Sequence, residues 1–189
     1  MSVSLYIGVG PYPIHQQHID VMDKLGGDWI YIDKFVVQEG TLNYDAFDLP
    51  YSDVHAIYNS HLLEHISHRK VKRLIEYWHS LLKVGGKIYI NVPDLEWACK
   101  NFLEILEKER KGEVVYGYYN STIDPDNYEH DFLQIFYGSH EHEGEYHKCG
   151  YTKESLEKLL KDTGFTNITI KQEFEAHDIG CLIAEAEKC

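Results

Sequence analysis

The sequence predicts an α/β sandwich built on a seven-stranded, mostly parallel sheet. Two observations carry that expectation. Short apolar runs rich in Ile, Val and Tyr alternate with segments whose apolar residues recur at helical spacing. The chain then closes with two strand-like runs in succession, 166–174 and 181–186, which read as a hairpin whose last strand is antiparallel.

The elements follow in order. Val3–Ile7 is a short buried strand that ends at Gly8-Val9-Gly10-Pro11. Ile14, His18, Val21, Met22 and Leu25 place one face of a short helix over 14–25, stopped by Gly26-Gly27. The helices of this N-terminal half are therefore abbreviated. Trp29–Ile32 is a second strand ending on Asp33, 41–44 a third ending on Asp45, and 54–58 a fourth. Val71, Leu74, Ile75, Trp78, Leu81 and Leu82 then share one face of the most regular helix in the chain, opposite Lys70, Lys72, Arg73 and Glu76. Ser67 is expected to cap it and Gly85-Gly86 to end it. A fifth strand spans 87–92, and Pro93-Asp94 opens a helix reaching about residue 111. Residues 112–150 are irregular and rich in Tyr, His, Gly, Asp and Glu, and a connection of that length is usually functional. Thr152 caps a last helix carrying Leu156, Leu159 and Leu160, with Gly164 at its end.

Length and composition narrow the function classes. The 189 residues suit a single domain, 1–189, with 112–150 as an inserted acceptor-site region. With 31 acidic against 18 basic residues the formal charge is −13, a field that repels phosphate backbones, so nucleic acid is not an expected partner. No run approaches the ~20 apolar residues of a membrane span, and the expected location is the cytoplasm. A homo-oligomer is compatible with the sequence, but no apolar patch for one can be located in it. Cys99, Cys149, Cys181 and Cys189 are dispersed and read as reduced, mostly structural thiols.

Open parallel sheets bind ligands beyond the carboxyl ends of their strands. Gly8 and Gly10 would let the backbone approach a ligand there, although the third glycine of a dinucleotide fingerprint would fall at Pro13. Asp33 lies 23 residues after Gly10, near the ~20 expected of an acid that accepts from ribose hydroxyls. Asp45 could accept from an adenine amino group or form a turn with Asp48. His61-x-x-Glu64-His65 has the spacing of an inverted zinc-hydrolase motif, which belongs within a long helix. Here it directly follows a strand, so a zinc metallohydrolase is a remote alternative and no metal is assigned. The histidines of the irregular region (His130, His140, His142, His147) read mainly as solvated. Its tyrosines, among them Tyr116, Tyr118, Tyr119, Tyr128, Tyr137 and Tyr146, suit the wall of an acceptor pocket.

The ordered set of these phrases is more specific than any one of them. Leu5–Gly10, Asp33, Asp45–Tyr51, Ser60–His65 and Leu82–Lys87 resemble, in order and spacing, the class I S-adenosylmethionine-dependent methyltransferases. Phe136-Tyr137-Gly138, Tyr146-His147-Lys148 and Gly150–Leu156 resemble small members linked to sugar or cell-surface biosynthesis. The resemblance covers nearly the whole chain. It implies a Rossmann-like fold, S-adenosylmethionine as cofactor and a small-molecule or sugar acceptor. Gly8, Val9 and Gly10 would pass under its methionine end, Asp33 and Lys34 would border the ribose, and Asp45 and Ala46 the adenine. Asn59, Ser60 and His61 would lie near the sulfonium. His61 and His147 are the expected bases for a hydroxyl acceptor. Two places depart from the family pattern: Tyr6 stands where an acid or amide is usual, and Pro11-Tyr12-Pro13 replaces a richer glycine loop. These departures raise the alternative of an inactive, cofactor-binding relative acting as a partner protein.

Overall fold

Leu5 and Ile7 turn to one face of the first strand and Tyr6 to the other, and this alternation sets the two layers that flank the sheet. The computed structural model describes residues 2–11, 13–36, 38–113, 134–140, 143–173 and 180–189. Tyr116, Tyr118, Tyr119, Tyr128, His130 and His142 lie outside the described residues.

Seven strands form one sheet: β1 Val3–Ile7, β2 Asp28–Asp33, β3 Thr41–Asn43, β4 Val54–Ser60, β5 Leu82–Pro93, β6 Phe165–Glu173 and β7 Cys181–Lys188. Their spatial order is β3-β2-β1-β4-β5-β7-β6. The first five pair in parallel, and β7 runs antiparallel to both β5 and β6. The order reverses between β1 and β4, so their carboxyl ends border the crevice where such sheets take ligands.

The longer helices among the described residues are α1 Gln16–Leu25, α2 Val71–Leu81, α3 Leu95–Arg110 and α4 Lys153–Asp162. Helices α2 and α4 bury Leu74, Ile75, Trp78, Leu156 and Leu160 against Leu5, Ile7, Ile32, Ile57, Ile88 and Ile90. The opposite face carries a smaller aromatic core, where Met22 of α1 meets Tyr6 and Tyr58, with Trp29, Tyr31 and Tyr89 packed around them. Helices therefore cover both faces, as expected. Tyr6, only 3% exposed, packs edge-on against Tyr58 at 4.7 Å between ring centroids. The departure at this position thus serves the core. No described helix is long and apolar enough to cross a membrane.

Three local expectations need correction. β4 continues through Asn59 and Ser60 because both pair with β5, opposite Ile90 and Asn91. Ser67 does not cap α2. Its hydroxyl accepts from Arg69 N, and Lys70 holds the cap position without a side-chain hydrogen bond. Gly85 and Gly86 do not end α2 either: the chain is already extended at Leu82, and the glycines fall inside β5. A Cβ on Gly86 would meet Lys83 O at 2.8 Å and Val54 O at 3.1 Å, so glycine is required where β5 crosses β4. Thr152, by contrast, caps α4 as expected, in a capping box closed by Ser155. Asp94 does the same for α3, its Oδ1 accepting from Glu96 N and Trp97 N.

Candidate active site

The first four strands deliver their last residues to one end of the sheet. Gly8 and Gly10 follow β1 with φ of 79° and 72°, in the left-handed region glycine adopts freely. A Cβ on Gly8 would touch Leu62 at 3.1 Å, whereas one on Gly10 would meet nothing within 4 Å. The first glycine serves packing, and the second leaves an open cradle.

Asp33 ends β2 and joins two loops. Its Oδ2 accepts from Gly10 N at 3.0 Å, and its Oδ1 accepts from Phe35 N and Val36 N at 2.8 and 2.9 Å. Lys34 reaches past it to Asp45, with Nζ donating to Oδ2 at 2.8 Å. Burial works against the Asp45 carboxylate, yet the Lys34 ammonium and Phe47 N–H hold its pKa below the usual range. Asp45 is therefore paired with Lys34 as well as forming the turn. Ala46 is fixed from below, its carbonyl accepting from Trp78 Nε1 at 3.0 Å, and Tyr77 brackets Leu49 N and O at 2.8 and 3.0 Å. Helix α2 thus anchors the loop from Ala46 to Leu49.

At the end of β4, Asn59 is fully buried, with Nδ2 donating to Tyr89 O and Oδ1 lacking a partner among the described residues. Ser60 Oγ accepts from Asn91 Nδ2 at 3.3 Å. His61 follows with a positive φ of 51°, its N–H bonded to Asn91 O. This strained position aims the imidazole at two groups, Glu64 Oε1 at 3.2 Å from Nδ1 and Cys181 Sγ at 3.8 Å from Nε2. Burial lowers the pKa of His61, but the Cys181 thiol and the Glu64 carboxylate outweigh it and hold the ring well above its usual value. Glu64 is only 1% exposed and is held below the usual carboxylate range by His61, against its own burial. Both imidazole nitrogens of His61 therefore meet side chains of the site.

His147 is brought to the same place from the far end of the irregular region. Lys148 N and Cys149 N donate to Glu64 O at 2.7 and 3.2 Å, which lays the segment along the turn Leu63–His65. Burial lowers the pKa of His147, and its Nδ1 meets Ile135 O at 2.8 Å. His65 lies beside it, the ring centroids 4.8 Å apart. Cys149 Sγ lies within hydrogen-bond distance of Leu63 O, Ile66 O and Tyr151 OH, and burial pushes its thiol up, as for a structural cysteine. Sequence reasoning missed Lys34 as the partner of Asp45, Cys181 as that of His61, and the approach of His147 to Glu64. The helix required by the zinc-hydrolase reading is not formed: only the short 3-10 turn Leu63–His65 follows β4.

Comparison with known proteins shows the family and the fold. A family model described as a methyltransferase domain matches residues 4–170. The chain belongs to the methyltransferase-domain family. Among solved structures it is similar to a SAM-dependent methyltransferase from Archaeoglobus fulgidus, at 15% identity and a TM-score of 0.58 over 99% of this chain and 86% of that one. It is also similar to the 1,6-didemethyltoxoflavin-N1-methyltransferase of Burkholderia thailandensis, at 14% identity and a TM-score of 0.60 over 99% and 71%. A third is a protein from Nostoc punctiforme described as a putative O-methyltransferase, at 13% identity and a TM-score of 0.59, of which the chain spans 52% while 99% of its own length is covered. No curated protein matches. The shared fold is the Rossmann-like sheet described above, and the protein is an enzyme of the methyltransferase class.

Proposed function

We propose that the protein transfers the methyl group of S-adenosylmethionine to a small-molecule or sugar acceptor in the cytoplasm, with neither nucleic acid nor membrane as partner. The carrying observation is the row Gly10, Asp33, Asp45, Asn59 and His61 at the carboxyl ends of adjacent parallel strands. The cofactor fits the residues present: Gly10 leaves space where a side chain would intrude, and Asn59 Oδ1 is a buried acceptor awaiting a donor. The Burkholderia relative, whose structure holds S-adenosylhomocysteine and a small-molecule substrate, supports the same reading.

S-adenosylmethionine supplies an activated methyl on a sulfonium, which becomes a neutral thioether as the acceptor's lone pair takes the methyl. The protein's part is alignment and exclusion of water. Asp33 would border the ribose, Gly10 the methionine end, and Ala46, pinned by Trp78, the adenine. His61, whose Nδ1 meets Glu64 Oε1, borders the site and with His147 is a candidate base for a hydroxyl acceptor. A hydroxyl acceptor would lose its proton to one of these two imidazoles. Described residues of the irregular segment, Tyr137 and Tyr146, are 58% and 39% exposed and offer stacking surface to the acceptor.

Isothermal titration with S-adenosylmethionine and S-adenosylhomocysteine tests the reading. Micromolar binding that is lost in Asp33→Ala supports it, and absence of binding to the wild-type protein rejects it.

A further inference from the structure

We propose that Glu64, His65 and His147 form a binding site for a divalent transition-metal ion, with zinc as its first probe. One ligand atom from each of these three residues lies within 4.8 Å of the others. Donor atoms around a tetrahedral ion at ~2.0–2.1 Å sit about 3.4 Å apart, so a side-chain adjustment of about 1 Å closes the set. Two imidazoles and one carboxylate form the donor set of zinc and its first-row neighbours, with positions left for other ligands.

Two further observations make this more than a cluster of suitable residues. First, Glu64 is 1% exposed, its Oε1 meets His61, and its Oε2 is buried without a partner among the described residues. A buried carboxylate oxygen left unpaired costs free energy that a cation would recover. Second, both rings are already oriented as ligands usually are. His65 Nδ1 meets Tyr146 O at 3.4 Å and His147 Nδ1 meets Ile135 O at 2.8 Å. A ring that donates Nδ1–H to a backbone carbonyl keeps Nε2 as a neutral lone pair, the outer-shell arrangement that fixes the tautomer of metal-ligating histidines. His61 plays the corresponding part for the carboxylate. The two histidines are half-buried, so the open coordination positions are reachable from solvent.

This set differs from the zinc-hydrolase motif, which would have used His61. Here His147, distant in sequence, replaces it, and His61 moves to the outer shell. The site stands one turn beyond the end of β4, where an oxygen of the acceptor could bind the ion. When the ion is bound, His147 serves as its ligand and the role of base falls to His61.

The test uses the untagged protein, expressed with added zinc and assayed for metal by mass spectrometry, then stripped by a chelator and titrated with Co2+. The expected result is roughly one ion per chain and the intense visible bands of low-coordinate cobalt. His147→Ala and His65→Ala should each lose these bands with an unchanged circular dichroism spectrum, while His140→Ala keeps them. His61→Gln should weaken the ion by ~10–100-fold, as loss of an outer-shell partner does. Acetohydroxamate, a bidentate oxygen probe, should shift the bands if positions are open. Absence of stoichiometric metal and of cobalt bands, or wild-type affinity in folded His147→Ala, would overturn the site. Unshifted bands with acetohydroxamate would overturn its openness. S-adenosylmethionine titration of the stripped protein reports separately on the cofactor, so failure of one reading leaves the other standing.

Discussion

Gly10 donates its backbone N–H to the carboxylate of Asp33 at 3.0 Å, and this one bond ties the loop after β1 to the loop after β2. The same carboxylate accepts from Phe35 N and Val36 N. Asp33→Asn replaces one accepting oxygen by a donor and breaks at least one of these bonds. Hydrogen bonds to charged groups contribute ~1.5–3 kcal/mol, so the dissociation constant for S-adenosylmethionine should rise ~10–100-fold. Calorimetric titration of Asp33→Asn beside wild type checks this, and unchanged affinity would remove Asp33 from the cofactor site.

Gly8 and Gly10 share a backbone conformation but should respond differently to alanine. Both substitutions carry the left-handed strain of ~1–2 kcal/mol. Gly8→Ala adds a contact with Leu62 at 3.1 Å and should be the less stable variant in urea unfolding. Gly10→Ala meets no neighbour and should fold closer to wild type, yet bind the cofactor at least ~10-fold more weakly. The reverse ranking would place the ligand elsewhere.

Trp78 is fully buried, and its indole N–H holds Ala46 O. Trp78→Phe leaves that carbonyl unpaired and a small void, for an expected loss of ~1–3 kcal/mol. Tyr77→Phe should cost less but release Leu49 N, a change that amide hydrogen exchange at Leu49 would read directly. Protection at Leu49 unchanged in Tyr77→Phe would show that the loop does not depend on α2.

His79 supplies a pH dependence whose sign is fixed. Burial and the Lys188 ammonium lower its pKa below 6.5, with Gly164 opposing weakly. The unfolded chain therefore binds the proton more readily than the folded one. The stability contribution is complete above pH ~6.5 and falls as pH drops through the interval down to the folded value. The wild-type melting temperature should fall more than that of His79→Gln between about pH 7.5 and about pH 5.5. Parallel profiles for the two proteins would contradict this.

How much was legible in the sequence depended on how local the determining interaction is. The strands up to Asp33, the face of α2 and the cap at Thr152 follow from spacing within a few residues. The end of β4 did not, because Asn59 and Ser60 join the strand only through their partners in β5. Gly85-Gly86 read as a helix stop, but Gly86 is required by the carbonyls of Lys83 in its own strand and of Val54 and His55 in β4, the latter two set by strand pairing. At the site, Asp33 could be placed from its distance to Gly10. The state of His61 could not: it depends on Cys181, which β7 brings in from the far end of the chain. Likewise the meeting of His147 with Glu64 rests on two backbone bonds from Lys148 and Cys149.

The anchoring of Tyr151 carries an evolutionary consequence. Its carbonyl accepts from Leu95 N at 2.9 Å, and it bridges Asp94, so the chain after α3 returns to the very start of that helix. Whatever lies between is a closed excursion with both ends fixed to the scaffold. Doubling the length of such an excursion costs only ~0.6 kcal/mol in closure entropy. Insertions and deletions there can therefore accumulate at small thermodynamic cost, while the sheet beneath them stays the same.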